Sequence, residues 1–117
     1  AIAGTVNLNG RPLEFGSILF IPKAGNPGPK AGGTIRRGDY LVPQIEGPMA
    51  GELDVKIYAP KFAPETILPD DIHEIQKLAA HASELLPPEY NAKTRLSVTA
   101  VKDGPNRFNF DLEMALP

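Results

Sequence analysis

Two stretches near the C-terminal end alternate strictly between apolar and polar residues: Leu96-Ser97-Val98-Thr99-Ala100 and Phe108-Asn109-Phe110-Asp111-Leu112. A period of two marks strands that bury one face and wet the other, and no helical stripe has that spacing. Between them lies Lys102-Asp103-Gly104-Pro105-Asn106, a turn-forming cluster that reads as the link of a strand pair. The same period recurs upstream. Ile2, Val6 and Leu8 share one face of a first strand, and Asn9-Gly10 behind it is the strongest short turn signal. Leu53, Val55 and Ile57 face one way in residues 51–58, with Asp54, Lys56 and Tyr58 facing the other.

Thirteen prolines and eleven glycines are spread along the 117 residues. That is too many breakers for a helical bundle, and it suits many short strands with tight corners. The length is that of one domain spanning residues 1–117, large enough to be held by a single core. There is no cysteine, which excludes disulfides and thiolate chemistry. The net charge is −2, and only Arg36-Arg37 are adjacent basic residues. Nucleic-acid binding needs a clustered basic face, so no such partner is expected. No apolar run approaches the ~20 residues that span a bilayer.

Residues 17–22 (SILFIP) read as a strand covered on both faces, and 23–33 (KAGNPGPKAGG) as a surface loop. Thr34, Ile35 and Arg36 suit a short edge strand. Arg37-Gly38-Asp39 then turns the chain into Tyr40-Leu41-Val42. Residues 71–86 change period. Asp70 or Asp71 can cap a helix, and Glu74 three residues after Asp71 completes a capping-box pattern. Ile72, Ile75, Leu78, Ala79, Ala82, Leu85 and Leu86 make a stripe at 3.6 spacing, ended by Pro87-Pro88. The fold class expected is therefore mainly β, a sandwich with one inserted helix over about residues 71–86.

Several of these segments resemble carboxypeptidase regulatory-like domains, a transthyretin-like family. Gly4-Thr5-Val6, Asn9-Gly10-Arg11-Pro12-Leu13 and residues 17–22 resemble the family's opening. Gly38-Asp39-Tyr40 resembles its D-G-x-Y turn, with the order of Gly and Asp reversed. Residues 51–55, 87–91 (PPEYN) and 106–112 look like the rest of the small secreted type found in planctomycete bacteria. The resemblance implies a Greek-key, transthyretin-like or Ig-like sandwich of about seven strands. It implies export from the cytoplasm, often with a lipid anchor on a cysteine that would lie upstream of Ala1. It carries over no catalytic residue.

The constellations that chemistry would use are thin. His73 and His81 are two helical turns apart, roughly 12 Å, too far to share one metal. Lys77 occupies the position between them where a zinc helix would place its second ligand. Ser83 and His81 are i and i+2, pointing to different faces of a helix. Asp70-Asp71 with Glu65 and Glu74 form the densest acidic patch, which helix capping and the helix dipole already explain. Arg37-Gly38-Asp39 is what a hairpin turn selects. Phe15, Phe20, Tyr40, Phe108 and Phe110 belong with the core. Tyr58, Phe62 and Tyr90 are the candidate ligand contacts, because exposed rings stack on sugars or peptides.

No catalytic, cofactor-binding or metal-binding residue is expected, and no cofactor. The leading reading is a non-enzymatic accessory or interaction module of the cell envelope, partnered by an envelope protein or polysaccharide. The alternative is a carbohydrate- or peptide-binding module. A transthyretin-related hydrolase comes last, since the closing Met114-Ala115-Leu116-Pro117 lacks that group's C-terminal signature.

Overall fold

The alternating segments assemble into one curled, predominantly antiparallel sheet around a single core. The computed structural model describes residues 2–23, 30–42, 51–61, 68–101 and 106–114. Within them the strands are β1 (Ile2–Leu8), β2 (Arg11–Pro12), β3 (Phe15–Pro22), β4 (Ala31–Arg36), β5 (Asp39–Val42), β6 (Gly51–Tyr58), β7 (Pro60–Lys61), β8 (Ser83–Glu84), β9 (Leu96–Ala100), β10 (Asn106–Arg107) and β11 (Phe110–Leu112). One helix, α1 (Ile72–Ala79), follows β7.

The sheet runs β10-β1-β5-β4-β3-β6-β9, seven strand positions. Within that path β3, β4 and β5 are consecutive antiparallel neighbours, and β6 returns to lie beside β3. A spatial order of fourth, first, second, third is a Greek key. The protein is thus mainly β and sandwich-like, as the alternation requires, with one α-helix among the described residues.

The pairing of the last strands differs from the expected hairpin. β9 lies antiparallel on β6, with Leu53 opposite Val98. β10 and β11 lie at the other end of the path, parallel to β1. Alternation says which residues of a strand face inward, not which strand is its neighbour. Within the turn cluster, residues 102–105 lie outside the described residues. Asn106 joins the two strands through its side chain, accepting from the Val101 N–H at 2.8 Å and donating to the Val101 carbonyl at 3.0 Å.

Inward residues of every long strand meet in one cluster. Val6, Phe20, Ile35, Val42, Leu53, Val55 and Ile57 are fully buried there. Tyr40 contributes its ring between Phe20 and Phe110, at centroid distances of 6.1 and 6.5 Å. Its hydroxyl donates to the Phe108 carbonyl at 2.6 Å. Burial pushes that hydroxyl's pKa well above the usual phenol range, partly offset by the charge of Arg107. Gly4 lies directly under the same carbonyl. A Cβ there would fall 1.8 Å from the Phe108 oxygen, so the approach of the last strands to β1 requires glycine.

Three local expectations change. β4 begins at Ala31, so residues 31–33 are strand rather than loop, and β4 is interior between β3 and β5, not an edge. The six residues of β4 pair with β3 along its length, which outweighs the weak strand propensity of Gly32-Gly33. Residues 24–29 lie outside the described residues. β3 buries Ile18 and Phe20 on one face, while Leu19 and Ile21 on the other are only half-buried and Ser17 is exposed.

The helix also stops seven residues short of its expected end. Asp71 caps it, its carboxylate accepting from the His73 N–H at 2.8 Å. Beyond Ala79 a tertiary pairing takes over: Ser83-Glu84 form β8 against β7. The Glu84 carboxylate accepts from the N–H groups of Ala59 at 2.8 Å and Leu86 at 3.0 Å. Of the expected stripe, Ile75 is buried in the helix and Leu86 reaches the core from extended chain, while Leu78 is 43 % exposed. Phe15 and Ile75 are buried yet stand apart from the central cluster. Phe15 shares its face of β3 with Ser17.

Candidate functional site

The outward face of the sheet is where ladder register brings distant residues together. Ser17 on β3 lies directly opposite Tyr58 on β6 and, on its other side, opposite Thr34 on β4. Adjacent strands are ~4.8 Å apart, so Tyr58, Ser17 and Thr34 form a straight row about 10 Å long across three strands. All three side chains are exposed, Tyr58 to 36 %.

The row is the floor of a cleft of about 310 Å³. Its far wall is α1, through Gln76 and Ala79, continued by Ala82 and the β7–β8 ribbon. The wall stands where it does because Asp71 starts the helix and β8 ends the segment by pairing with β7. The volume is at the small end of ligand sites, and the lining mixes apolar surface with a few polar groups, as such sites do.

The neutral polar groups are the hydroxyls of Tyr58, Ser17, Thr34 and Ser83 and the Gln76 amide. Among the described residues, no lysine or arginine lines the cleft. Its one acid, Glu84, turns its carboxylate to the backbone N–H groups of Ala59 and Leu86. Backbone groups are committed as well, because Ser17 is ladder-paired on both sides.

Of the two described rings among those proposed from the sequence, Tyr58 lines the cleft and Tyr90 does not. Tyr90 follows a 3-10 turn (Pro88–Tyr90), where its hydroxyl donates to the Glu113 carbonyl at 2.8 Å and accepts from the Glu113 N–H at 3.1 Å. It fastens that turn to the chain beyond β11. Phe62 lies outside the described residues. Ser17, Thr34 and Gln76 carried no signal of their own. A lone serine at an outward position of an apolar strand was visible, but its neighbours belong to strands distant in sequence.

A second cleft, of about 380 Å³, is lined by Glu14, Arg36, Arg37, Asp70 and Ile75 among others. Its charges are largely matched internally. Arg36 donates to the Asp70 carbonyl, and the Arg37 guanidinium is 3.9 Å from the Asp70 carboxylate. Both members of that ion pair are exposed and contribute little to stability. The Arg37-Gly38-Asp39 tripeptide forms the β4–β5 hairpin turn, with φ of 52° at Arg37 and 85° at Gly38. Two successive positive values are those of a type I′ turn. Its backbone is tied to Glu14, Leu13 and Val6.

His73 and His81 are exposed and line neither cleft. Among the described residues, no three of His, Asp and Glu gather closely enough to hold a metal ion, and no helix is long and apolar enough to cross a membrane. Comparison with family models, with curated proteins and with solved structures finds no match for this chain.

Proposed function

We propose that the protein is a non-enzymatic interaction module that recognises its ligand in the cleft between α1 and the outward face of β3, β4 and β6. The observation that carries this reading is the row Tyr58–Ser17–Thr34, an aromatic ring and two hydroxyls aligned by strand register and left exposed beside a helix. A ring with apolar and polar character, supported by convergent hydroxyl and amide groups, is a binding arrangement. A nucleophile would need a base within hydrogen-bond reach. The titratable group nearest to that role, Glu84, is engaged with two backbone donors instead.

The resemblance to exported regulatory-like domains supports a place in the cell envelope, with an envelope polysaccharide or protein as partner and a lipid anchor upstream of Ala1. The test is co-sedimentation of the purified protein with the envelope fraction of its source, run beside Tyr58→Ala. Saturable binding that Tyr58→Ala abolishes supports the reading. Binding that survives the substitution moves recognition away from the cleft, and absence of binding at high protein concentration removes recognition altogether.

A further inference from the structure

We infer that the cleft takes a neutral carbohydrate. This rests on the recognition reading above and names its ligand class. Three features point the same way.

The first is what the floor offers. Tyr58 presents a ring at one end of the row, and Ser17 and Thr34 present hydroxyls at successive strand spacings beyond it. A pyranose has an apolar C–H face that lies on an aromatic ring and a rim of hydroxyls that pair with hydroxyl and amide groups. The Gln76 amide on the facing helix supplies both donor and acceptor from the opposite wall.

The second is charge. Among the described residues no cation lines the cleft, and its one carboxylate, Glu84, accepts two backbone N–H groups at Oε2. An anionic ligand would find no counter-charge there, and burying an unpaired charge is costly. A neutral polyol has no such cost.

The third is what the floor lacks. An extended peptide gains most of its affinity by pairing its backbone with an open strand edge. The floor of the cleft lies on a sheet face whose ladders are complete on both sides of Ser17, so the floor offers no open strand edge. Among the described residues the open strand edges are β9 and β10, at the two ends of the sheet path, and the β7–β8 ribbon at the cleft wall, whose two-residue strands are too short to pair an extended peptide. On the floor it is side chains that read the ligand, which suits a hydroxyl-covered ring better than an extended polypeptide.

The experiment is isothermal titration of the intact protein with neutral oligosaccharides of four to six residues (β-glucan, α-glucan, xylan and chitin series), alongside an uncharged peptide mixture. At least one series should bind. Tyr58→Ala should weaken it at least about tenfold, Tyr58→Phe should keep most of the affinity because the ring remains, and Ser17→Ala or Thr34→Ala should each cost about fivefold. Ser17 and Thr34 are exposed, so these variants probe the row without disturbing the core. Peptide binding lost in Tyr58→Ala, with no oligosaccharide bound, overturns the carbohydrate assignment and leaves the recognition reading standing. No binding of either class at millimolar concentration overturns both. Oligosaccharide binding that is indifferent to Tyr58, Ser17 and Thr34 overturns the assignment of this cleft.

Discussion

The centre of the sheet and its β10–β11 end are held together by different means. At the centre, β3 pairs over six residues with β4 and six with β6, and the facing side chains are fully buried aliphatics and Phe20. Backbone ladders and apolar burial act together there. At the β1 end, β10 and β11 are two- and three-residue pieces paired parallel to β1 and joined further by side-chain amides. The Thr5 N–H donates to the Asn109 side chain at 3.0 Å, Asn7 donates to Asp111 at 3.0 Å, and Asn9 bonds the Met114 backbone in both directions. Leu96, Val98, Phe108 and Met114, all on or beside the end strands, are only half-buried against the core. The fold is thus a tight centre whose last strands are attached by polar side chains at the rim.

That contrast explains what was legible in the sequence. The centre was, because burial on one face leaves a period-two trace: Leu53, Val55 and Ile57 point inward as their spacing requires. Turn chemistry at Asn9-Gly10 and Arg37-Gly38 was legible too, since both pairs have positive φ. The partner of the closing strands was not, because asparagine bridges such as Asn106 to Val101 leave no periodic mark. The end of the helix was not, because Ala82 and Leu85 continue a helical stripe that the β7–β8 pairing overrides. For the cleft, Tyr58 could be named from its outward position. Its companions Ser17 and Thr34 could not, since only strand register makes them neighbours.

The contrast can be broken first at the centre. Leu53→Ala removes a fully buried side chain and should cost about 3 kcal/mol in urea unfolding. At the rim, Gly4→Ala forces a methyl against the Phe108 carbonyl, and should cost about 2 kcal/mol by displacing β10 and β11 from β1. Loss of the Asn109–Thr5 and Phe108–Ala3 hydrogen bonds, seen as faster amide exchange at Thr5 and Phe108 than at Val55, would locate that damage at the end of the sheet.

Tyr40→Phe links the two regions, because the ring is in the core and its hydroxyl holds the Phe108 carbonyl. It should cost about 1.5 kcal/mol, the carbonyl being left with an unmet acceptor. It should also change the alkaline limb of stability. The folded phenol's pKa is raised above its unfolded value near 10, so folding favours the neutral form. The contribution is whole below that unfolded value and falls as pH rises past it. Urea midpoints measured from pH 8 to pH 11 should decline more steeply for the parent protein than for Tyr40→Phe. The smallest effect belongs to Asn109→Ala, which removes one exposed bridge to Thr5 and should cost about 1 kcal/mol or less.

The most direct test of the account is to follow backbone and side-chain amide resonances while a neutral oligosaccharide that binds the protein is added. The cleft reading predicts shifts that saturate at Ser17, Thr34, Tyr58 and the Gln76 side-chain amide, with β1, β10 and β11 unmoved. Shifts confined to the β9 edge or the β10–β11 rim, with those four residues silent, would contradict it.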